Sequence, residues 1–284
     1  MKISDKLINV TIHIQTKTKE GAISTGTGFF FEFCRSENGK MVPTIVTNKH
    51  VIDGAKSGTL RFRTSDDNGD VKEGDFFDFN INDFENAWIK HPNSDIDLAV
   101  LPIAQFFSSM TSQGKKPFFP GLDKSTIPNE EAVKSLSSIE NIIMIGYPNG
   151  IWDQENNVPI VRRGITATSF GVDFKGKKEF LIDCACFPGS SGSPIFLLDE
   201  GVHMDQSGQI KFGTKFHFLG VLWGGPQFSS HGDLVAVPVP TKNQLITISN
   251  IPMNLGFCIK SNLLMDFEKI IKAIFEREFP NSEK

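Results

Sequence analysis

Cys184-Ala185-Cys186-Phe187-Pro188-Gly189-Ser190-Ser191-Gly192-Ser193-Pro194-Ile195-Phe196 is the stretch on which the reading of this chain turns. A strand-like run from Phe180 to Cys184 enters it, a tight Gly/Ser turn follows, and a second apolar run leaves. Small residues crowd the turn, because a backbone that bends sharply with its N–H groups inward has little room for side chains. A hydroxyl carried on such a turn suits a nucleophile facing backbone donors. The same composition also serves an ordinary β-turn between two strands, since Gly, Ser and Pro dominate turns. The flanking sequence has to decide between the two.

Around the turn, Asn141 to Gly146, Pro159 to Thr168, Phe180 to Cys184, Pro194 to Leu198, Phe216 to Trp223 and Leu234 to Val239 read as about six strands. The first part of the chain gives another six. Residues 7–15 alternate, with Ile8, Val10, Ile12 and Ile14 on one face and Asn9, Thr11, His13 and Gln15 on the other. This predicts a half-buried strand with His13 solvated. Ser24 to Cys34, Val42 to Thr47, Leu60 to Thr64, Phe76 to Ile81 and Leu98 to Ile103 follow, separated by Gly/Asn/Asp turns. Residues 105–139, rich in Ser, Pro, Lys and Glu, read as a linker with a short helix near Asn129 to Leu136. At the end, Leu263, Leu264, Phe267, Ile270, Ile271, Ile274 and Phe275 recur at helical spacing, which predicts one amphipathic helix lying on the body. The expected architecture is all-β, two antiparallel β-barrels in residues 1–104 and 140–260, with a C-terminal α-helix and tail in 261–284.

Composition narrows the function. The 284 residues carry a net charge of −4 and no basic block, so an electrostatic footprint for nucleic acid is missing. No apolar run reaches membrane-spanning length, and Met1 to Lys6 lacks the apolar segment of a secretory signal. The four cysteines are too few and too scattered for a disulfide framework. A soluble protein in a reducing, cytoplasmic setting is therefore expected, with neither nucleic-acid binding nor membrane insertion. Cys184 and Cys186 share a strand face, yet two thiols do not complete a tetrahedral zinc site. The expectation is that they pack as small apolar groups and that the chain uses no metal or cofactor.

A serine nucleophile needs a base within hydrogen-bond reach, and the base needs an orienting carboxylate. His50 sits just past an apolar strand, where its side chain can turn into a cleft between barrels. Asp97 heads the buried run Asp97-Leu98-Ala99-Val100-Leu101, with Asp95 as the other carboxylate there. Either also reads as a strand-initiating turn residue. Ser190, Ser191 and Ser193 all offer hydroxyls. An α/β-hydrolase would place the serine first in the chain within G-x-S-x-G; here the fifth position is Ser193 and no crossover helices separate the strands.

Thr44-Ile45-Val46-Thr47-Asn48-Lys49-His50-Val51-Ile52 resembles the catalytic-histidine segment of trypsin-like serine proteases, especially the bacterial high-temperature-requirement (Deg) type. Asp95-Ile96-Asp97-Leu98-Ala99-Val100-Leu101 is similar to their aspartate segment, and Pro188 to Pro194 to their nucleophile turn. The order His, Asp, Ser and the spacings of 47 and 94 residues suit that family. Gly26-Thr27-Gly28-Phe29, Gly146-Tyr147-Pro148-Asn149-Gly150 and Val235-Ala236-Val237-Pro238 resemble further segments of it, so the likeness runs from about residue 5 to 270.

The resemblance implies a chymotrypsin-like fold, two six-stranded antiparallel β-barrels with a cleft between them. It implies Ser191 as nucleophile, His50 as general base then acid, Asp97 as orienter, and the N–H groups of Gly189 and Ser191 as oxyanion hole. Ser193 stands where the family usually has Gly. Ala185, followed by Cys186 and Phe187, would form the pocket for the residue before the scissile bond, with Trp223-Gly224-Gly225 opposite. No charge stands at its base, which predicts apolar side chains of small to medium size. Ser190 is uncharged and cannot hold a buried N-terminal ammonium, so the N-terminus is expected to stay outside. The implied activity is that of a serine endopeptidase forming an acyl-enzyme on polypeptide substrates, a few dedicated partner proteins in the cytosol. No regulatory domain is expected after the terminal helix. Control would then come from the loops Tyr147 to Val161 and Leu198 to Lys215, or from a regulatory or activating protein. The alternative is a protease-fold binding or regulatory module with little turnover.

Overall fold

The computed structural model describes residues 2–36, 38–204, 208–230 and 249–278. A short helix, α1 (Ile3–Leu7), precedes the first sheet. Its strands are β1 (Thr11–Thr18), β2 (Ile23–Phe33), β3 (Val42–Thr47), β4 (Ala55–Ser65), β5 (Val71–Asn82), β6 (Ile89–Lys90), β7 (Ala99–Pro102) and β8 (Lys116–Pro117). One helical turn, α2 (Lys49–Ile52), follows β3. The ladder runs β5-β4-β1-β2-β3-β7-β6, with β8 joined to β4. The six segments expected from periodicity are β1 to β5 and β7. The two-residue strands β6 and β8 are too short to leave a periodic signal.

Residues 105–139 are packed structure. α3 (Ala104–Ser112) sets Met110 into the core, with Phe106 and Phe107 against it. Its apolar residues are scattered through a Ser-rich segment, which hid it from the sequence reading. α4 (Glu130–Ser135) falls where a short helix was expected, capped by Asn129 Oδ1 accepting the Ala132 N–H at 2.8 Å.

The second half holds β9 (Asn141–Gly146), β10 (Ile160–Thr166), β11 (Glu179–Asp183), β12 (Pro194–Asp199), β13 (Val202–Met204), β14 (Ile210–Phe212), β15 (Lys215–Gly224), β16 (Gln227–Ser230), β17 (Ser249–Pro252) and β18 (Leu255–Lys260). Six of these close into a barrel in the order β10-β11-β18-β15-β12-β9. The expected strand Leu234 to Val239 lies outside the described residues. β18 is a barrel strand the periodicity missed: Gly256 and Cys258 interrupt its apolar run, and both are buried, so no polar face alternates with them. The terminal apolar stretch starts as a 3₁₀ turn (Ser261–Phe267) and continues as α5 (Glu268–Glu278). Leu263, Leu264, Phe267 and Ile271 are buried, while Ile270, Ile274 and Phe275 are half-buried.

One core cluster is shared by both halves. Phe29, Phe31 and Phe33 of β2 meet Phe196 of β12 and Phe218 of β15, and the C-terminal segment closes the cluster through Phe267 of the 3₁₀ turn and Ile271 of α5. Phe29 and Phe218 cross the seam edge to face, ring centroids 5.2 Å apart.

His13 is not solvated. Trp152, from the loop after β9, stacks on it with centroids 4.1 Å apart, and Tyr147 lies 5.1 Å away. The polar face of β1 is therefore covered by a loop distant in sequence, which alternation cannot reveal. Burial, reinforced by the Arg61 cation, lowers the His13 pKa from 6.5 to about 4. The unfolded chain binds this proton more readily, so neutral His13 stabilises the fold above pH 6.5. That contribution is lost as pH falls from 6.5 towards 4. In urea titrations the protein is expected to lose about 3 kcal/mol more stability between about pH 7 and pH 4 than its His13→Phe variant. Equal losses would exclude His13 as an acid-sensitive group.

Candidate active site

The Gly/Ser turn follows β11 and leads into β12. Gly189 and Gly192 both have φ of +86°, the left-handed region open to glycine. A Cβ at Gly192 would lie 1.9 Å from Thr27 O and 2.6 Å from Thr47 Oγ1, so only glycine lets the turn reach β2 and the end of β3. Within the turn, the Ser190 N–H donates to Phe187 O and the Ser193 N–H to Ser190 O, each at 3.0 Å. The Gly192 N–H donates to Leu222 O at 2.8 Å, fixing the turn to β15. Among the described residues, the N–H groups of Gly189 and Ser191 have no hydrogen-bond partner. Ser191 is half-buried, whereas Ser190 and Ser193 are 1% and 0% exposed. Ser193 Oγ has no partner among the described residues.

The histidine and aspartate come from the first sheet. β3 and β7 pair antiparallel with Thr47 opposite Ala99, so the chain just after β3 and just before β7 emerges at one end of the sheet. There His50 Nδ1 lies 2.5 Å from Asp97 Oδ2, and the His50 backbone N–H donates to Asp97 Oδ1 at 3.1 Å. Asn48 Nδ2 donates to the Asp97 carbonyl at 2.7 Å. The carboxylate thus holds both ring and backbone of His50, leaving Nε2 on the far side of the ring. Asp95 is exposed; its N–H donates to Asn93 Oδ1, and it makes no bond to His50. No hydrogen bond joins the Ser191 hydroxyl to His50. The turn is instead tied to the end of β3, three residues before His50, through Thr27, whose N–H donates to Ser191 O at 2.9 Å and whose carbonyl accepts Thr47 Oγ1 at 2.7 Å.

Beside Ser191 lies a cavity of about 140 Å³, lined by Cys186, Phe187, Leu222, Gly224, Gly225 and Leu255 among others. Ala185 and Trp223, also expected there, do not line it. The Ala185 carbonyl accepts from Arg162 at 2.9 Å, and Trp223 stacks on Phe257 at 5.6 Å. No charged side chain lines the cavity among the described residues, but the Arg162 guanidinium lies 4.8 Å from the Phe187 ring centre. Burial pushes the Cys186 thiol up to about 12 and raises Cys184 as well, so both stay protonated and apolar. Leu222 of β15 and Leu255 of β18 also line the cavity, and Arg162 of β10 stands behind its Phe187 wall; Leu255 and Arg162 come from strands whose own patterns carry no sign of the site.

The trypsin-like peptidase domain profile matches residues 26–202, which contain all three chemistry-bearing stretches, and the chain belongs to the trypsin-like peptidase family. No curated protein sequence matches this chain. A solved serine endoprotease from Yersinia pestis is 17% identical with a TM-score of 0.45, over 94% of this chain and 65% of its own. This chain therefore spans just under two thirds of that enzyme's length. Deg5 is 17% identical with a TM-score of 0.43, over 78% of this chain and 81% of its own. Protease Anisep from Arthrobacter nicotinovorans is 12% identical with a TM-score of 0.47, over 93% and 96%.

The crowding of the turn separates its residues experimentally. Ser193→Ala deletes a buried hydroxyl without a partner, and stability is expected to stay level or rise by about 1 kcal/mol. Gly192→Ala forces a side chain against a carbonyl at positive φ, and a loss of about 3 kcal/mol is expected. Chemical denaturation of the two variants checks both; a harmless Gly192→Ala would show that the turn does not need this close approach.

Proposed function

We propose that the protein is a serine endopeptidase acting on polypeptide substrates through Ser191, His50 and Asp97. The observation that carries this is the grip of Asp97 on the His50 ring and backbone, together with a turn on which the Gly189 and Ser191 N–H groups have no partner among the described residues. In this reading His50 Nε2 takes the Ser191 proton as Oγ attacks the peptide carbonyl. Asp97 holds the tautomer with its proton on Nδ1 and stabilises the imidazolium that forms. The Gly189 and Ser191 N–H groups receive the oxyanion, each contributing about 3 kcal/mol to lowering the barrier. His50 then protonates the leaving amine, and water attacks the acyl-enzyme by the same route. A reducing, cytoplasmic setting suits the four unpaired cysteines, and a few dedicated partner proteins are the proposed substrates. No helix among the described residues is long and apolar enough to cross a membrane. A protease-fold binding module with little turnover is the rival reading.

A fluorophosphonate is expected to label Ser191 and no other serine, and Ser191→Ala to abolish peptide hydrolysis. His50→Ala should lower kcat by several orders of magnitude, and Asp97→Asn by about 10⁴ at neutral pH, because the wrong histidine tautomer is then favoured. Full activity in the Asp97→Asn protein sinks the assignment. Unlabelled wild type favours the binding module.

The uncharged cavity of about 140 Å³ fits an apolar side chain of small to medium size before the scissile bond. A basic one would lose hydration there without a partner and would feel the Arg162 cation behind the Phe187 wall. A peptide library is expected to be cut after apolar residues. Arg162→Met should raise cleavage after Lys relative to Leu by about fivefold. Wild-type cleavage mainly after Arg or Lys contradicts the pocket assignment.

A further inference from the structure

Thr27 belongs to β2, in the opposite half of the molecule from the nucleophile turn, and is fully buried. The β2–β3 ladder ends at the pair Phe29–Val46. Beyond it, the Thr27 N–H that β2 would offer to β3 goes to the turn instead. The Thr27 N–H donates to Ser191 O at 2.9 Å, and its Oγ1 hydroxyl donates to Gly189 O at 2.9 Å. The same Oγ1 accepts the Tyr147 N–H at 3.0 Å, and the Thr27 carbonyl accepts Thr47 Oγ1 at 2.7 Å. One residue thus ties β3, the loop after β9 and both carbonyls flanking Ser190.

The Gly189 N–H shares its peptide plane with Pro188 O, and that oxygen accepts the Asn149 N–H at 2.5 Å. An N–H and C=O of one trans peptide point opposite ways, so this bond aims the Gly189 N–H away from the loop. Asn149 lies two residues after Tyr147, whose N–H rests on Thr27 Oγ1. The hydroxyl therefore clamps Gly189 on its carbonyl side and the loop that aims the Gly189 N–H on the other. Without it, two buried backbone groups, Gly189 O and Tyr147 N, lose a partner. Glycine at positive φ offers little resistance of its own to rotation of that peptide.

We infer that Thr27 is a positioning residue: its hydroxyl holds the Pro188–Gly189 peptide so that the Gly189 N–H can receive the oxyanion. This inference rests on the serine-peptidase reading. The test compares full-length Thr27→Val, which keeps shape and loses the hydroxyl, with Thr27→Ser, which keeps the hydroxyl. Thr27→Val is expected to lower kcat and the fluorophosphonate labelling rate by about 100-fold, the loss associated with one oxyanion donor, with KM within about threefold. Thr27→Ser should retain kcat within about threefold. A hydroxyl that served only stability would lower the melting midpoint and leave kcat of the folded fraction intact. Thr27→Ala carries the same expectation should the valine variant not fold. Wild-type kcat in Thr27→Val, or equal loss in Thr27→Ser, overturns the inference alone. A wild type that neither labels nor hydrolyses overturns the peptidase reading and this inference with it.

Discussion

The close approach of Gly192 to the Thr27 carbonyl sets the distance between the two halves of the molecule. Nothing larger than a hydrogen fits between them at that point, where a Cβ would stand 1.9 Å from the oxygen. The phenylalanines of β2, β12 and β15 pack together in the core that both halves share. Each fully buried aromatic ring contributes about 2 to 3 kcal/mol, against about 1 kcal/mol net for each hydrogen bond at the seam. The aromatic core thus supplies most of the free energy that joins the halves, and the hydrogen bonds choose the register. A greasy interface alone would let the turn slide; the bonds to Ser191 O, Gly189 O and Leu222 fix where it stops.

The same division of labour places His50 and Asp97. Their proximity is a consequence of pairing β3 with β7 in one register, since the residues just after one strand and just before its antiparallel partner leave the same end of the pair. Asn48 completes the arrangement by taking the Asp97 carbonyl, which leaves the carboxylate free for the histidine. Sheet geometry brings the pair together, and the side-chain bonds set the ring's orientation.

This explains how much was legible in the sequence. β3 and β9 have the bounds that apolar runs predict, and His50, Asp97 and Ser191 stand in local motifs, because a strand end or a tight turn is written in adjacent residues. β18, α3 and the covering of His13 depend on contacts between segments far apart. Their local patterns are ambiguous: a glycine and a cysteine in a barrel strand, phenylalanines in a Ser-rich helix, a histidine in an alternating strand. The cavity was half legible for the same reason. Cys186, Phe187, Gly224 and Gly225 belong to local stretches next to the turn or at the end of β15, while Leu255 arrives from β18, and Arg162 of β10 backs the Phe187 wall without lining the cavity.

The loop after β9 serves both stability and the turn. Trp152 seals β1 by stacking on His13, and three residues earlier Asn149 holds the Pro188 carbonyl. Asn149 and Asn157 lie at positive φ, a conformation that asparagine tolerates better than most residues. Asn157 also reaches across to the Arg61 carbonyl of β4, so the loop is anchored on the first sheet at both ends of its course. The ring that covers His13 and the backbone that holds the Pro188 carbonyl thus stand three residues apart on one loop, which joins β1 of the first sheet to the nucleophile turn of the second half.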